Sequence, residues 1–204
     1  MKVGNKGIPI MDEEEVRKAI KRRQLKDTLE QDFLATINDR ISRYLELDFI
    51  EVTPNTHFAP ITIECMLLYR DGYFFACIAL CQAVAEALVR FICERNGRGS
   101  NRFVRFETNI RKLRELTRKI PPHWIEMLER VWEGRNDYHH INPEVPTEKD
   151  KLREIAKGKI VALLDVESKV FAFEVVNGAI KRTHSEYWLE IDSGHLDAYL
   201  RFEL

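Results

Sequence analysis

The sequence predicts an all-α helical bundle, and three observations lead there. From Tyr73 to Cys93 only three of 21 residues are polar, and these three, Gln82, Glu86 and Arg90, are spaced four apart. They form one narrow stripe on an otherwise apolar helix, as in the central member of a bundle. Elsewhere apolar residues recur near helical spacing: Val16, Ile20, Leu29, Phe33, Ile37, Ile41 and Leu45, then Leu152, Ile155, Ile160, Leu163, Leu164 and Val170. Between these runs stand helix-stopping and turn pairs, Asp71-Gly72, Asn96-Gly97 and Pro121-Pro122.

In chain order, Asp12 is the expected N-cap of the first helix, with Glu15 three residues on in a capping-box pattern. One or two amphipathic helices follow, to about residue 48. Thr53 to Pro60 carries two prolines and predicts a turn-rich linker. A helix over Ile61 to Arg70 precedes the central apolar helix, which stops at Asn96-Gly97. Arg98 to Asn101 predicts a loop, Phe103 to Lys119 a helix, and Trp124 to Trp132 another, opened by the proline pair. Ile141 to Pro146 predicts a loop, and Thr147 begins a long helix. For Phe171 to Ile180 two readings stand: the end of that helix at Gly178, or a hairpin turning at Asn177-Gly178. Tyr187 to Ile191 alternates weakly, as a short strand does. The expected organisation is an N-terminal helical extension over 1–54, a bundle over 55–180, and a short C-terminal tail over 181–204 that includes a small hairpin on the second reading.

The chain has 204 residues, 45% hydrophobic and 32% charged, a soluble globular profile with room for one real core. A net charge of −1 gives no global basic field. Four cysteines and no apolar leader in Met1 to Ile10 point to a reducing cytoplasm. The longest apolar run, Tyr73 to Cys81, is nine residues, short of the ~20 that a bilayer requires. No membrane partner is therefore expected.

The segment that carries chemistry is Arg135-Asn136-Asp137-Tyr138-His139-His140. Arginine offers a planar fork of donors that matches a phosphate. Histidine both takes and gives a proton near neutrality. Together they suffice in kind for cleaving a phosphodiester. A bland alternative exists, in which Arg135 pairs with Asp137 and the histidines are solvated loop residues.

An apolar helix with Gly72-Tyr73 and Ala85-Glu86-Ala87-Leu88, a charged helix, this hexapeptide and a long helix together resemble the HEPN superfamily, over roughly residues 58 to 175. That family's hallmark is Arg-x4–6-His, frequently with Asn after the Arg. The resemblance implies a HEPN-like bundle and a metal-independent endoribonuclease, in the setting of a toxin or an antiviral defence effector. It also implies a cytoplasmic homodimer acting on RNA, a cognate antitoxin or inhibitor protein as a further partner, and no cofactor. Arg135 and His140 would be the catalytic pair and Asn136 the residue that orients the arginine, with Asp137, His139 and Glu86 in support. Because His139 adjoins His140, a register with three intervening residues is also open. Some toxin members carry a Tyr two residues after the histidine, where a partner modifies it; here Asn142 stands there. Other family members are catalytically silent and bind RNA, nucleotide or a protein.

One protomer offers a single histidine at the position of the family's catalytic one, whereas strand cleavage by proton transfer needs an acid and a base. A two-fold dimer supplies both. Residues 95–119 hold nine basic residues and two acids, and Arg102, Arg105, Arg111, Lys112, Arg114, Arg118 and Lys119 form a candidate track for RNA backbone. The competing reading is a solvated helix face. Glu86 either pairs with Arg90 or orients Arg135 or His140. Cys77 and Cys81 fit buried core thiols better than metal ligands, and neighbouring histidines on a helix do not share a ligand face, so no metal is expected.

Overall fold

A computed structural model of the chain describes residues 12–99, 104–116, 118–191 and 195–201. The chain divides into two units, Met1–Arg40 and Ile41–Leu204. The first is built on α1 (Glu13–Tyr44), a single helix where the sequence allowed one or two. Asp12 caps it, its carboxylate accepting the Glu14 amide at 3.3 Å. Ion pairs one turn apart, such as Glu14–Lys18 at 2.7 Å, lace its surface. Val16, Ile20, Leu29 and Phe33 stay exposed. Val16 and Ile20, one turn apart, share one side of the helix, and Leu29 and Phe33 share the opposite side, because nine residues separate Ile20 from Leu29.

In the second unit, α2 (Ala59–Asp71) stops at Gly72, whose φ of 84° lies in the left-handed region. The central helix is α3 (Phe74–Arg95), which packs against α2, α4 (Phe106–Arg114), α5 (Pro122–Trp132), the short α6 (Arg135–His139) and the long α7 (Lys149–Val170). By length and composition α3 passes for a membrane span. In the fold its Cys77, Ile78, Cys81, Ala85, Leu88 and Ile92 are fully buried in the core. The four cysteines are free and buried, and Cys77 and Cys81 stand Sγ to Sγ at 3.9 Å.

The all-α expectation needs correction: the chain is mainly α with small antiparallel sheets. β2 (Phe173–Val176) and β3 (Ala179–Arg182) form a hairpin through Asn177-Gly178, whose φ values of 53° and 78° are those of a tight hairpin turn. A second sheet has the order β1-β5-β4, from Val52–Pro54, His195–Leu200 and Leu189–Ile191. β1 lies at the start of the segment read as a linker. It extends because Val52 and Thr53 pair with Leu200 and Tyr199, far along the chain, and local signals do not carry such pairing. Residues 41–54 and the segment expected as a tail belong to the same unit as the bundle. Tyr187 and Trp188 are buried in its core. Arg201 Nη2 donates to Glu167 Oε2 of α7 at 2.6 Å, and the Thr62 hydroxyl donates to Oε1 at 2.8 Å.

Candidate active site

The hexapeptide is displaced from the helix before it. α5 ends at Trp132, Glu133 is extended, and Gly134 adopts φ 68°. That left-handed glycine turns the chain so that α6 starts on a new axis, with the Gly134 carbonyl accepting the Asp137 amide at 3.0 Å. A buried ammonium holds this corner. Lys159 of α7, 6% exposed, donates to the carbonyls of Arg130 (3.3 Å), Val131 (2.9 Å) and Glu133 (2.6 Å). Gln82 of α3 donates to the Glu133 carbonyl as well, at 3.1 Å. These carbonyls are the unpaired acceptors of a helix C-terminus, where a cation is favoured.

Tyr138 fixes the rotation of α6. Its ring is buried, 5.5 Å from that of Phe75. Arg135 and His139, one turn apart, then share a face. The Arg135 guanidinium lies 5.5 Å from the Trp132 ring centroid, and Nη1 donates to Asn136 Oδ1 at 3.2 Å. Its Nε is buried and meets no acceptor among the described residues. Trp132 itself stacks on Phe106 at 4.2 Å and donates its indole N–H to Glu107 at 3.1 Å. Asn136, expected to orient the arginine, meets the guanidinium through that one bond. Asp137, by contrast, accepts Asn142 Nδ2 at 3.1 Å and so fastens the loop behind the histidines.

His139 and His140 are both exposed but sit differently. Partial desolvation of the His139 ring, then the Arg135 charge, hold its pKa below the ordinary value, against the Ala79 backbone of α3 and the Glu86 charge. His140 is the C-cap of α6. Ile141 follows with φ 51° and 72% exposure, a conformation that β-branched residues rarely adopt. Glu86 lies 3.7 Å from Arg90, and the histidine that feels its charge is His139.

The Arg135–His139 coupling gives a first prediction. An NMR titration should place the His139 midpoint below ~6.5. Arg135→Ala should move it upward, because removing a nearby positive charge favours the imidazolium. A midpoint that does not move would mean that the two groups do not face each other in solution.

The basic track is uneven. Arg102 lies outside the described residues. Arg105, Arg111, Arg118 and Lys119 are exposed. Arg114 instead clamps Glu129 with two bonds of 2.7 Å, and Lys112 donates to the Gly99 carbonyl at 2.5 Å. A groove of about 290 Å³ beside Trp132 is lined by Phe106, Ile110, Arg111 and Arg114, but also by Glu107, Glu129 and Glu133. Among the apolar residues available for a dimer contact, Trp124 and Leu128 are buried in the core, while Met127 and Trp132 are half-buried. Among the described residues no group of three or more His, Cys, Asp or Glu could hold a metal ion. Sequence reasoning missed Lys159, Gln82 and Trp132. The signal for Lys159 was present: it stands one helical turn after Ile155 and one before Leu163, on their apolar stripe.

No family model matches this chain, and no curated protein or solved structure matches it either.

Proposed function

We propose that this protein is a metal-independent endoribonuclease with a HEPN-like bundle, acting as a homodimer that joins two Arg135–His140 motifs across a two-fold axis. The observation that carries the reading is the arrangement on α6. A guanidinium rests on Trp132 with its Nε unengaged, beside one histidine and one residue-step from another at the open end of the helix. In the proposed reaction the substrate 2′-hydroxyl attacks its own phosphate. One His140 accepts the hydroxyl proton and the His140 of the second copy protonates the 5′-oxygen that leaves. The arginines stabilise charge on the phosphoryl oxygens as it builds. Ile141, exposed and strained beside the motif, supports a protein contact there, since strained backbone clusters at functional sites. A toxin or antiviral defence setting in the cytoplasm, with a cognate inhibitor, belongs to the same proposal.

One observation favours the second reading, a silent module that binds nucleotide or protein. Three glutamates share the groove with Arg111 and Arg114, which weakens any field for RNA backbone. Cleavage of a labelled RNA separates the two. The endoribonuclease should work in EDTA and leave 2′,3′-cyclic phosphate ends. Activity that disappears with chelator and returns with a divalent ion sinks the mechanism, and a purified chain that binds RNA without cutting it favours the silent module.

A further inference from the structure

We infer that Lys159 is a positioning residue for Arg135, an inference that rests on the endoribonuclease reading for its catalytic meaning. A buried lysine is costly unless its charge is compensated. Here three backbone carbonyls, at 3.3, 2.9 and 2.6 Å, surround the ammonium, and all three belong to the end of α5 and the corner after it. The shortest bond goes to Glu133, whose carbonyl also accepts Gln82. Glu133 is two residues before Arg135, and between them lies only the left-handed Gly134. The bonds from α7 and α3 therefore fix the peptide plane from which α6 begins.

The far end of α6 is fixed separately. Tyr138 is buried against Phe75 of α3. With both ends held, the direction of the Arg135 side chain follows from the corner. The guanidinium has no carboxylate partner among the described residues to aim it, only Asn136 and the face of Trp132. A shift at Glu133 would pass directly to Arg135, and misplacing a catalytic group by about 1 Å costs on the order of a hundredfold in rate. A lysine that only filled the core would not concentrate its bonds on this corner.

The test compares Lys159→Met and Gln82→Leu with the full-length wild-type protein, by RNA-cleavage kinetics and by the NMR signal of the Arg135 Nε–H, assigned through its loss in Arg135→Lys. Methionine keeps the volume and removes the charge, and it leaves the carbonyls of the corner without their donor. Lys159→Met should lower kcat on the order of a hundredfold, leave KM within about threefold, and shift the Arg135 Nε–H signal while core methyl signals persist. Gln82→Leu, which removes one bond to the corner, should act in the same direction and less. Wild-type kcat with an unmoved Nε–H signal would overturn the inference. So would a loss of activity that merely follows a general loss of folded signal. If Arg135→Ala cleaves as well as wild type, or wild type does not cleave at all, the endoribonuclease reading fails instead. The Nε–H signal in Lys159→Met then decides alone whether Lys159 positions Arg135.

Discussion

Replacing Arg135 with alanine should lower kcat/KM for RNA cleavage by about 10²–10³-fold, the usual cost of removing one preorganised donor to a developing charge. Folding should hardly suffer. Arg135 is half-buried, and its contact with the Trp132 ring is worth about 0.5–1 kcal/mol. Arg135→Lys keeps the charge but loses the fork, so it should recover little activity. The histidine register is tested alongside. His140→Ala should abolish cleavage, and His139→Ala should do less harm. The opposite order would move the proton-transfer role to His139, the residue that shares Arg135's face. Cleavage at the wild-type rate by Arg135→Ala would remove the arginine from the chemistry altogether.

The largest effect on stability should come from Arg201→Ala. Arg201 is 4% exposed and Glu167 is 0% exposed, and they meet at 2.6 Å. Removing one partner leaves a buried charge uncompensated, at a cost of about 3–5 kcal/mol. For a chain of this size the melting temperature should fall by roughly 6–20 °C. Exchanging both residues for methionine should recover most of the loss, because a well-packed apolar pair replaces a buried ion pair at little cost. The strand that would loosen first is β5, since Arg201 directly follows it and its amide bonds the Glu51 carbonyl at 2.7 Å. A single alanine variant that melts with the wild type would mean that Glu167 finds another partner or is not buried in solution.

The helices were legible because their causes are local. The polar stripe Gln82–Glu86–Arg90 identified α3, Asp71-Gly72 its start, and Asn96-Gly97 its end. Asn177-Gly178 offered the hairpin, since both residues tolerate positive φ. The three-stranded sheet was not legible. Thr53 meets Tyr199 across more than two thirds of the chain, and the proline that follows it reads as a turn. The motif was readable as six residues but not as geometry. The corner at Gly134 is bonded by Lys159 and Gln82, which come from two other helices, and local sequence does not carry such contacts. The pairing within the basic track was not legible either, because charge counted along a sequence does not reveal that Arg114 is held by Glu129.

The central claim is a composite site, so the decisive measurement is the mass of the species that cleaves RNA. Light scattering on the eluting protein at micromolar concentration, with activity assayed across the same peak, should give twice 24.0 kDa with cleavage confined to that species. An interface that stable should bury at least ~1,000 Å². Ile141→Asp, next to the motif, should then shift the protein to monomer and abolish cleavage together. A 24.0 kDa monomer that cleaves RNA as fast as the dimer would contradict the account.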